Sequence, residues 1–422
     1  MAKLTRRQFV KGSVGGVFGA SLFSSVGAPF IFAQTKEPIK VAYLDELTGV
    51  LAAMGVGNVK GAELAVKHIN QSGGILGRPV KLFKDDTEAK TEVATRKARR
   101  LVLEEGVNVF HGAASSSTTI ALMEVAKRHG VIHHDYEMDS QSIYKAMNKF
   151  TFRYHNEAHT TIRAIVKVFA KKFPEIKRFA ATVPDYSWGH DAWDMFVDSI
   201  NIWMKGVEPI KVLHPLGAPD FSPYILQILD AKPQALFHFT PGGDFVNLIK
   251  QQKPYGLYKK IIGAHYGALL DTCISMGKDM EPIWTTCDVG YPFRPEVMKW
   301  TKIYKKEMGE WPQSDFAACY YDTMFILKQA IEKAQSTKTE DIAKAIAGIT
   351  YEGKLTGTGR VHVRETSHLP DTRNGGYVGR LGTSPDFPFL IMKDLIEVSC
   401  EGVCVTDDEA KNRWGCPFPY TE

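Results

Sequence analysis

Apolar runs, polar turns and helically spaced apolar residues succeed one another along most of this chain, a rhythm that predicts strands alternating with helices. The clearest stretch is 107–139, VNVFHGAASSSTTIALMEVAKRHGVIHHDYEMD. A short apolar run at 107–110 reads as a strand, and the small residues at 112–117 as a turn. Ile120, Leu122, Met123, Val125 and Ala126 then recur at helical spacing over 119–128. Gly130 ends that helix, and Val131-Ile132 opens the next strand. Strand–helix–strand over about 30 residues is a βαβ unit, so the sheet is expected to be parallel. Ligands of such sheets bind beyond the carboxyl ends of the strands. The polar turns Ser115-Ser116-Ser117-Thr118 and 135–139 fall at two such ends. The serine hydroxyls and the free N–H groups of the helix they open suit a carboxylate or a similar anion. The alternative is that Ser115 or Ser116 only caps the helix.

The rhythm continues on both sides. Residues 39–44 and 80–85 read as strands, with an amphipathic helix at 61–70 and a glycine-rich turn at 73–79 between them. Helix 92–105 carries Arg96, Lys97, Arg99 and Arg100 on a face expected to be solvated. Further strands are expected at 150–154, 178–183, 235–239 and 261–263. Helices are expected at 159–173, 191–204, 299–308, 316–334 and 340–349. Residues 353–359, GKLTGTG, read as glycine-rich extended chain, and no element is predicted beyond Cys400.

The 422 residues suffice for two domains with sizeable cores, and 44% hydrophobic with 23% charged residues is ordinary for a globular protein. The start of the chain changes the charge picture. Residues 5–11, TRRQFVK, resemble a twin-arginine export motif, followed over 14–33 by a mildly apolar, glycine-interrupted stretch. Cleavage is expected after Ala33. This segment holds four cations and no acid, so its removal takes the formal charge from +5 to +1 and withdraws the support for a nucleic-acid partner. The six cysteines all lie in the second half, and an even count in an exported chain favours disulfides. The expected pairs are Cys273–Cys287 and one of Cys400, Cys404 or Cys416 with Cys319.

Taken in order, GAELAVKHIN, GGILGRPVKL with Asp85-Asp86, GAASSST, Tyr186-Ser187-Trp188-Gly189 and LTGTGRVHV resemble the periplasmic solute-binding proteins of ABC importers, of the leucine/isoleucine/valine-binding type. The resemblance spans about 38–395. It implies an α/β fold of two doubly wound parallel-sheet lobes joined by a three-stranded hinge. Lobe I would hold 38–155 plus 290–360, and lobe II 156–289 plus 361–399. The chain would cross between them near 153–157, 287–291 and 357–363, and a cysteine-containing tail would occupy 400–422. It also implies a small-molecule ligand in the cleft, a membrane permease as partner, no cofactor or metal, a periplasmic location and a monomer or weak dimer.

By the same resemblance Ser115, with Ser116 beside it, would hold a ligand carboxylate. Where the amino-acid binders carry a threonine, this chain has Tyr136-Glu137-Met138-Asp139. His265 stands where an acid would pair with a ligand ammonium, Met54 replaces an aromatic, and Trp188 matches a ring that closes over the ligand. A zwitterion needs both of its charges paired out of water. An amino acid would therefore need Glu137 or Asp139, and otherwise the solute is an amide or an aliphatic or aromatic acid. Replacing Trp188 with alanine is expected to weaken binding with little change in the unliganded melting temperature. Simpler roles stay open: Trp188 as hinge packing, His265 as a strand-end histidine, Asp139 as a helix cap.

Two rivals share these residues. His133, His134, His155, His159 and His265 suggest a metal site, although no H-E-x-x-H motif accompanies them. The same fold also serves ligand-sensing receptor modules. A hydrolase lacks its G-x-S-x-G elbow.

Overall fold

The structure is a computed structural model that describes residues 37–135, 141–267, 270–287, 294–353, 355, 359–372 and 374–420, with 141–143 and 287 by their backbone alone. Glu137, Asp139 and the export segment lie outside the described residues.

The first part of the chain alternates β1 (Ile39–Asp45), α1 (Ala52–Gln71), β2 (Val80–Asp86), α2 (Thr91–Leu103), β3 (Val109–His111), α3 (Ser116–His129), β4 (Ile132–Asp135), α4 (Gln141–Ala146) and β5 (Thr151–Arg153). Its five strands form one parallel sheet in the order β2-β1-β3-β4-β5. The middle continues with α5 (Ala158–Lys172), β6 (Arg178–Pro184), α6 (Ser187–Trp203), β7 (Glu208–His214), α7 (Ser222–Ala231), β8 (Ala235–His238), α8 (Gly242–Gln252), β9 (Ile262–His265), α9 (Leu270–Met276) and β10 (Trp284–Cys287). Then follow α10 (Pro295–Met308), α11 (Ala317–Ala334), α12 (Thr339–Ile346), β11 (Thr350–Tyr351), β12 (Val361–Val363), β13 (Pro370–Thr372), β14 (Tyr377–Gly382), β15 (Ile391–Glu397) and α13 (Asp407–Trp414).

The second sheet runs β15-β14-β10-β9-β8-β6-β7. Its strands from β10 to β7 are parallel, as expected of a doubly wound lobe, and β14 and β15 add an antiparallel edge. An antiparallel edge strand on a parallel sheet is a common way to end one. β11, β12 and β13 pair in a small sheet of their own.

The helix α11 returns to lie along α1 beside the first sheet. The two helices approach closely because α1 carries glycine at the contact: a Cβ on Gly61 would stand 2.0 Å from the Ala317 carbonyl oxygen. Gly55, one and a half turns earlier, lets the loop after β1 fold against the same helix, and a Cβ there would meet the Glu46 carbonyl oxygen at 2.1 Å.

The tail corrects the sequence reading. Residues 407–414 form a helix whose first turn holds Asp407, Asp408 and Glu409, with the Thr406 hydroxyl accepting a 3.1 Å bond from the Glu409 N–H. Acids at a helix N-terminus and a side-chain cap both stabilise so short a helix. It is held to α5 by Arg163–Glu409, to α6 by Arg413–Asp198 and to the strand connection by Arg364–Asp407. Trp414 packs on Tyr144 of α4 and on His159 of α5. It shares an apolar cluster with Met123 of α3.

The disulfides also differ. Cys400 bonds to Cys404, and Cys416 carries no disulfide, so no tail cysteine reaches Cys319, which is buried within α11. Cys400 and Cys404 flank a tight turn, and neighbours in a turn meet more readily than cysteines on separate elements. The side chain of Cys287 lies outside the described residues, and with it the expected bond to Cys273. Among the described residues no helix is long and apolar enough to cross a membrane.

Candidate functional site

In the first sheet the chain switches direction between β1 and β3, and in the second between β6 and β8, which are the points where doubly wound sheets leave a crevice. A cavity of about 20 Å³ lies between the two sets of strand ends, room for about one water. From the first set come Leu51, Met54, Asn58, Ala113 and Ala114, joined by Phe316 and Tyr320 at the start of α11. From the second come Tyr186, Trp188, Pro241 and Tyr266. Met54 and Trp188, singled out in the sequence, therefore meet in one place. Trp188 is buried, its ring 4.4 Å from that of Tyr266, and its Nε1–H donates to the Phe239 carbonyl at 3.1 Å.

Ser115 and Ser116 are placed otherwise than expected. The N–H groups of Ala114 and Ser115, at 2.9 and 3.0 Å, donate to one carboxylate oxygen of Glu46. The hydroxyls of Thr87 and Thr118 donate to its other oxygen at 2.5 and 2.7 Å. The anion at the α3 N-terminus is thus the chain's own carboxylate, fully buried. The Ser115 hydroxyl meets Ser117 at 3.1 Å and makes no cap bond, and the Ser116 hydroxyl is buried without a partner. So neither serine caps the helix through its side chain; Glu46 does that work.

Asp45 lies beside it. Its Oδ1 accepts from the N–H groups of Glu46 and Ala114, at 3.0 and 2.9 Å, and its Oδ2 from the Asn58 amide at 3.2 Å. Burial, and then the neighbouring Glu46 charge, push the Asp45 carboxyl up to about 7. Sequence reading passed over this pair because Asp45-Glu46 at a strand end looks like a solvated turn. The available signal was two acids closing an apolar strand in register with the serine turn of β3.

His265 does not line the cavity. It sits behind Tyr266, ring centroids 5.3 Å apart, donating through Nε2 to the Thr240 carbonyl at 3.0 Å and accepting from the Gly267 N–H at 3.3 Å. Burial holds its pKa down at about 4, so it is neutral. It belongs to a wider polar layer. Tyr258, His238, Thr182, Thr240 and His214 are joined in series by bonds of 2.7–2.9 Å, ending at the Pro215 carbonyl. Since that carbonyl only accepts, His214 donates through Nδ1. Every other bond in the series is then directed: Tyr258 to His238, His238 to Thr182, Thr182 to Thr240, Thr240 to His214.

The remaining histidines of the metal reading are separated. His133 bonds to the Gly112 carbonyl at 2.6 Å and His155 to the Asn156 carbonyl at 2.7 Å. His134 stacks edge-on between His111 and Tyr154. Among the described residues no three potential metal ligands come together. The basic face of α2 is largely solvated, though Lys97 and Arg100 pair with Asp85.

Known proteins share this architecture. The periplasmic binding protein family matches residues 38–381. The chain belongs to that family, whose members bind solutes outside the cytoplasm. A Leu/Ile/Val-binding protein homolog 7 of Brucella abortus (strain 2308) is 25% identical over 347 residues, covering 78% of this chain and 85% of the relative. Among solved structures, the solute-binding protein of an ABC transporter from Rhodopseudomonas palustris BisB5, in complex with 3,4-dihydroxy benzoic acid, superposes with a TM-score of 0.76 at 22% identity, over 88% of this chain and 99% of that one. A leucine-binding protein from Thermotoga maritima MSB8 gives 0.71 at 20% identity, over 85% and 98%.

Proposed function

We propose that this protein captures a small organic solute between its lobes and delivers it to the permease of an ABC transporter, with no chemistry on the solute. The observation that carries this reading is a cavity lined by the strand ends of both sheets. A ligand that touches both walls binds the closed arrangement better than the open one, and that difference in affinity drives closure. Met54 and Trp188 face the ligand. Ser115 and Ser116 follow the lining residues Ala113 and Ala114 in sequence, Glu137 and Asp139 are kept as ligand contacts from the sequence reading alone, and His265 supports Tyr266 from behind.

The solute is an amino acid, an amide or an aliphatic or aromatic acid; the Leu/Ile/Val-binding homolog and the 3,4-dihydroxy benzoic acid complex support the amino-acid and aromatic-acid ends of that range. Lobe I comprises 38–155 with 290–360 and lobe II 156–289 with 361–399, crossing near 153–157, 287–291 and 357–363. Residues 1–33 direct twin-arginine export to the periplasm, where the protein works as a monomer or weak dimer.

The test is a thermal-shift screen of the oxidised chain against amino acids, amides, amines, aliphatic and aromatic acids and divalent metals, followed by small-angle scattering with each hit. A true ligand at a hundred times its dissociation constant adds about 2.7 kcal/mol of stability, and it should also shrink the radius of gyration. Stabilisation by metals alone would sink the proposal.

A further inference from the structure

We propose that the cleft selects a protonated amine that bears no carboxylate, carried on a flat or apolar body, and rejects organic acids and zwitterions. This rests on the solute-capture reading above and replaces the solute class given there, amino acids, amides and organic acids, with an amine. Its first support is Glu46. Each of its oxygens already accepts two hydrogen bonds, and together they occupy both N–H donors at the start of α3 and two hydroxyls. A ligand carboxylate would have to displace a fully buried, fully bonded one.

The second support is Asn58, which lines the cavity and is 2% exposed. Its Nδ2 donates to Asp45, which leaves Oδ1 with no partner. A buried acceptor in that state carries an unrelieved desolvation penalty. A ligand N–H relieves it and a ligand carboxylate cannot.

The third is the charge balance. Among the described residues no cation pairs with Asp45 or Glu46, and no lysine or arginine lines the cavity. The Glu46 carboxylate, with beside it the Asp45 carboxyl that ionises only near pH 7, stands one layer behind Asn58 and Ala114, and its field crosses low-dielectric protein to reach the cleft. The rings of Trp188, Tyr186, Tyr266 and Phe316 complete the walls, and aromatic faces attract a cation as well as a flat body.

The experiment is isothermal titration of the oxidised chain with benzylamine, benzamide and benzoate, three ligands of nearly one shape, and with leucine. Benzylamine should bind about tenfold or more tightly than benzamide, the scale of a desolvated cation–ring contact, and benzoate and leucine should give no measurable heat. Binding of benzoate or leucine as tight as that of the amine overturns the proposal and leaves solute capture standing. Equal affinity for amine and amide overturns the requirement for charge. Silence from every solute in the broad panel removes both readings together. A second arm uses two variants. Glu46→Ala frees the Ser115 N–H and the Thr87 hydroxyl, while the Ala114 N–H keeps Asp45 and the Thr118 hydroxyl keeps the Ser115 carbonyl, so acetate should raise its melting temperature and leave that of the unsubstituted protein unchanged. Glu46→Gln keeps the side chain's shape while removing its charge, and should lose most of the amine affinity. Undiminished amine binding by Glu46→Gln overturns the role of the charge, even if Glu46→Ala does not fold.

Discussion

The two walls of the cleft solve the same problem in opposite ways. At the strand ends of the first sheet, Asp45 and Glu46 are buried side by side, and their partners are N–H groups, hydroxyls and one amide. At the strand ends of the second, His214, His238 and His265 are buried too, but held neutral and joined to threonines, a tyrosine and backbone groups. Buried charge needs every available donor and still projects a field. A directed chain of neutral groups satisfies itself and leaves the surface above it, Trp188 and Tyr266, to act by shape. On the proposed reading, chemical selectivity resides mainly in the first lobe and closure over the ligand in the second.

The comparison is sharpened most by breaking the ion pair of the first lobe. Arg153 and Asp135 are paired and wholly buried at the sheet edge. Arg153→Ala strands a carboxylate and should cost about 3–5 kcal/mol in urea unfolding. Trp188→Ala should come close behind. The side chain is packed on Tyr266 and Phe239, so its removal is expected to cost about 3 kcal/mol of unliganded stability along with affinity. That corrects the expectation of an unchanged melting temperature, which treated Trp188 as a ring waiting in an open cleft. Thr240→Val in the second lobe leaves the His214 Nε2 without a donor and the Thr182 O–H without an acceptor, while Thr182 still accepts from His238. It should cost about 1–3 kcal/mol while changing ligand preference little. A large change in preference would erase the division between the walls.

The smallest effect is in pH, where the walls carry opposite signs. His265 is held at about 4 in the folded state against 6.5 for a free histidine. Its contribution is complete above 6.5 and is lost as pH falls toward 4, by about 0.7 kcal/mol between pH 7 and 6. Asp45 is raised from 3.8 to about 7, so its contribution is present below 3.8 and lost as pH rises through 7. The melting temperature of Asp45→Asn should therefore fall more steeply on acidification from pH 7 to 5 than that of the unsubstituted protein, and that of His265→Gln less steeply.

Much of this frame was legible in the sequence because apolar periodicity reports burial directly. The βαβ unit around Ser115 is found almost as read. β7 escaped notice because it is an edge strand with exposed and half-buried residues and no clean alternation. α13 escaped because only Ala410 and Trp414 of its eight residues are buried, too few to show a period. At the site, the family resemblance pointed to Met54 and Trp188, and both line the cavity. Glu46 was not, since its partners come from β3, α3 and the turn after β2, and a sequence does not display which donors an acid will meet.

The tail helix has a mechanical consequence. Asp198, which Arg413 grips, lies roughly ten residues or 15 Å along α6 from Trp188. Met123, in the apolar cluster of Trp414, lies two turns along α3 from the donors that hold Glu46. Each wall of the cleft is thus the tip of a rod whose shank is fastened at the tail, the arrangement of a pair of tweezers with the rivet at α13. Small rotations at the rivet become large displacements at the tips. A fusion or truncation near residue 410, remote from any ligand, would alter how far the tips part.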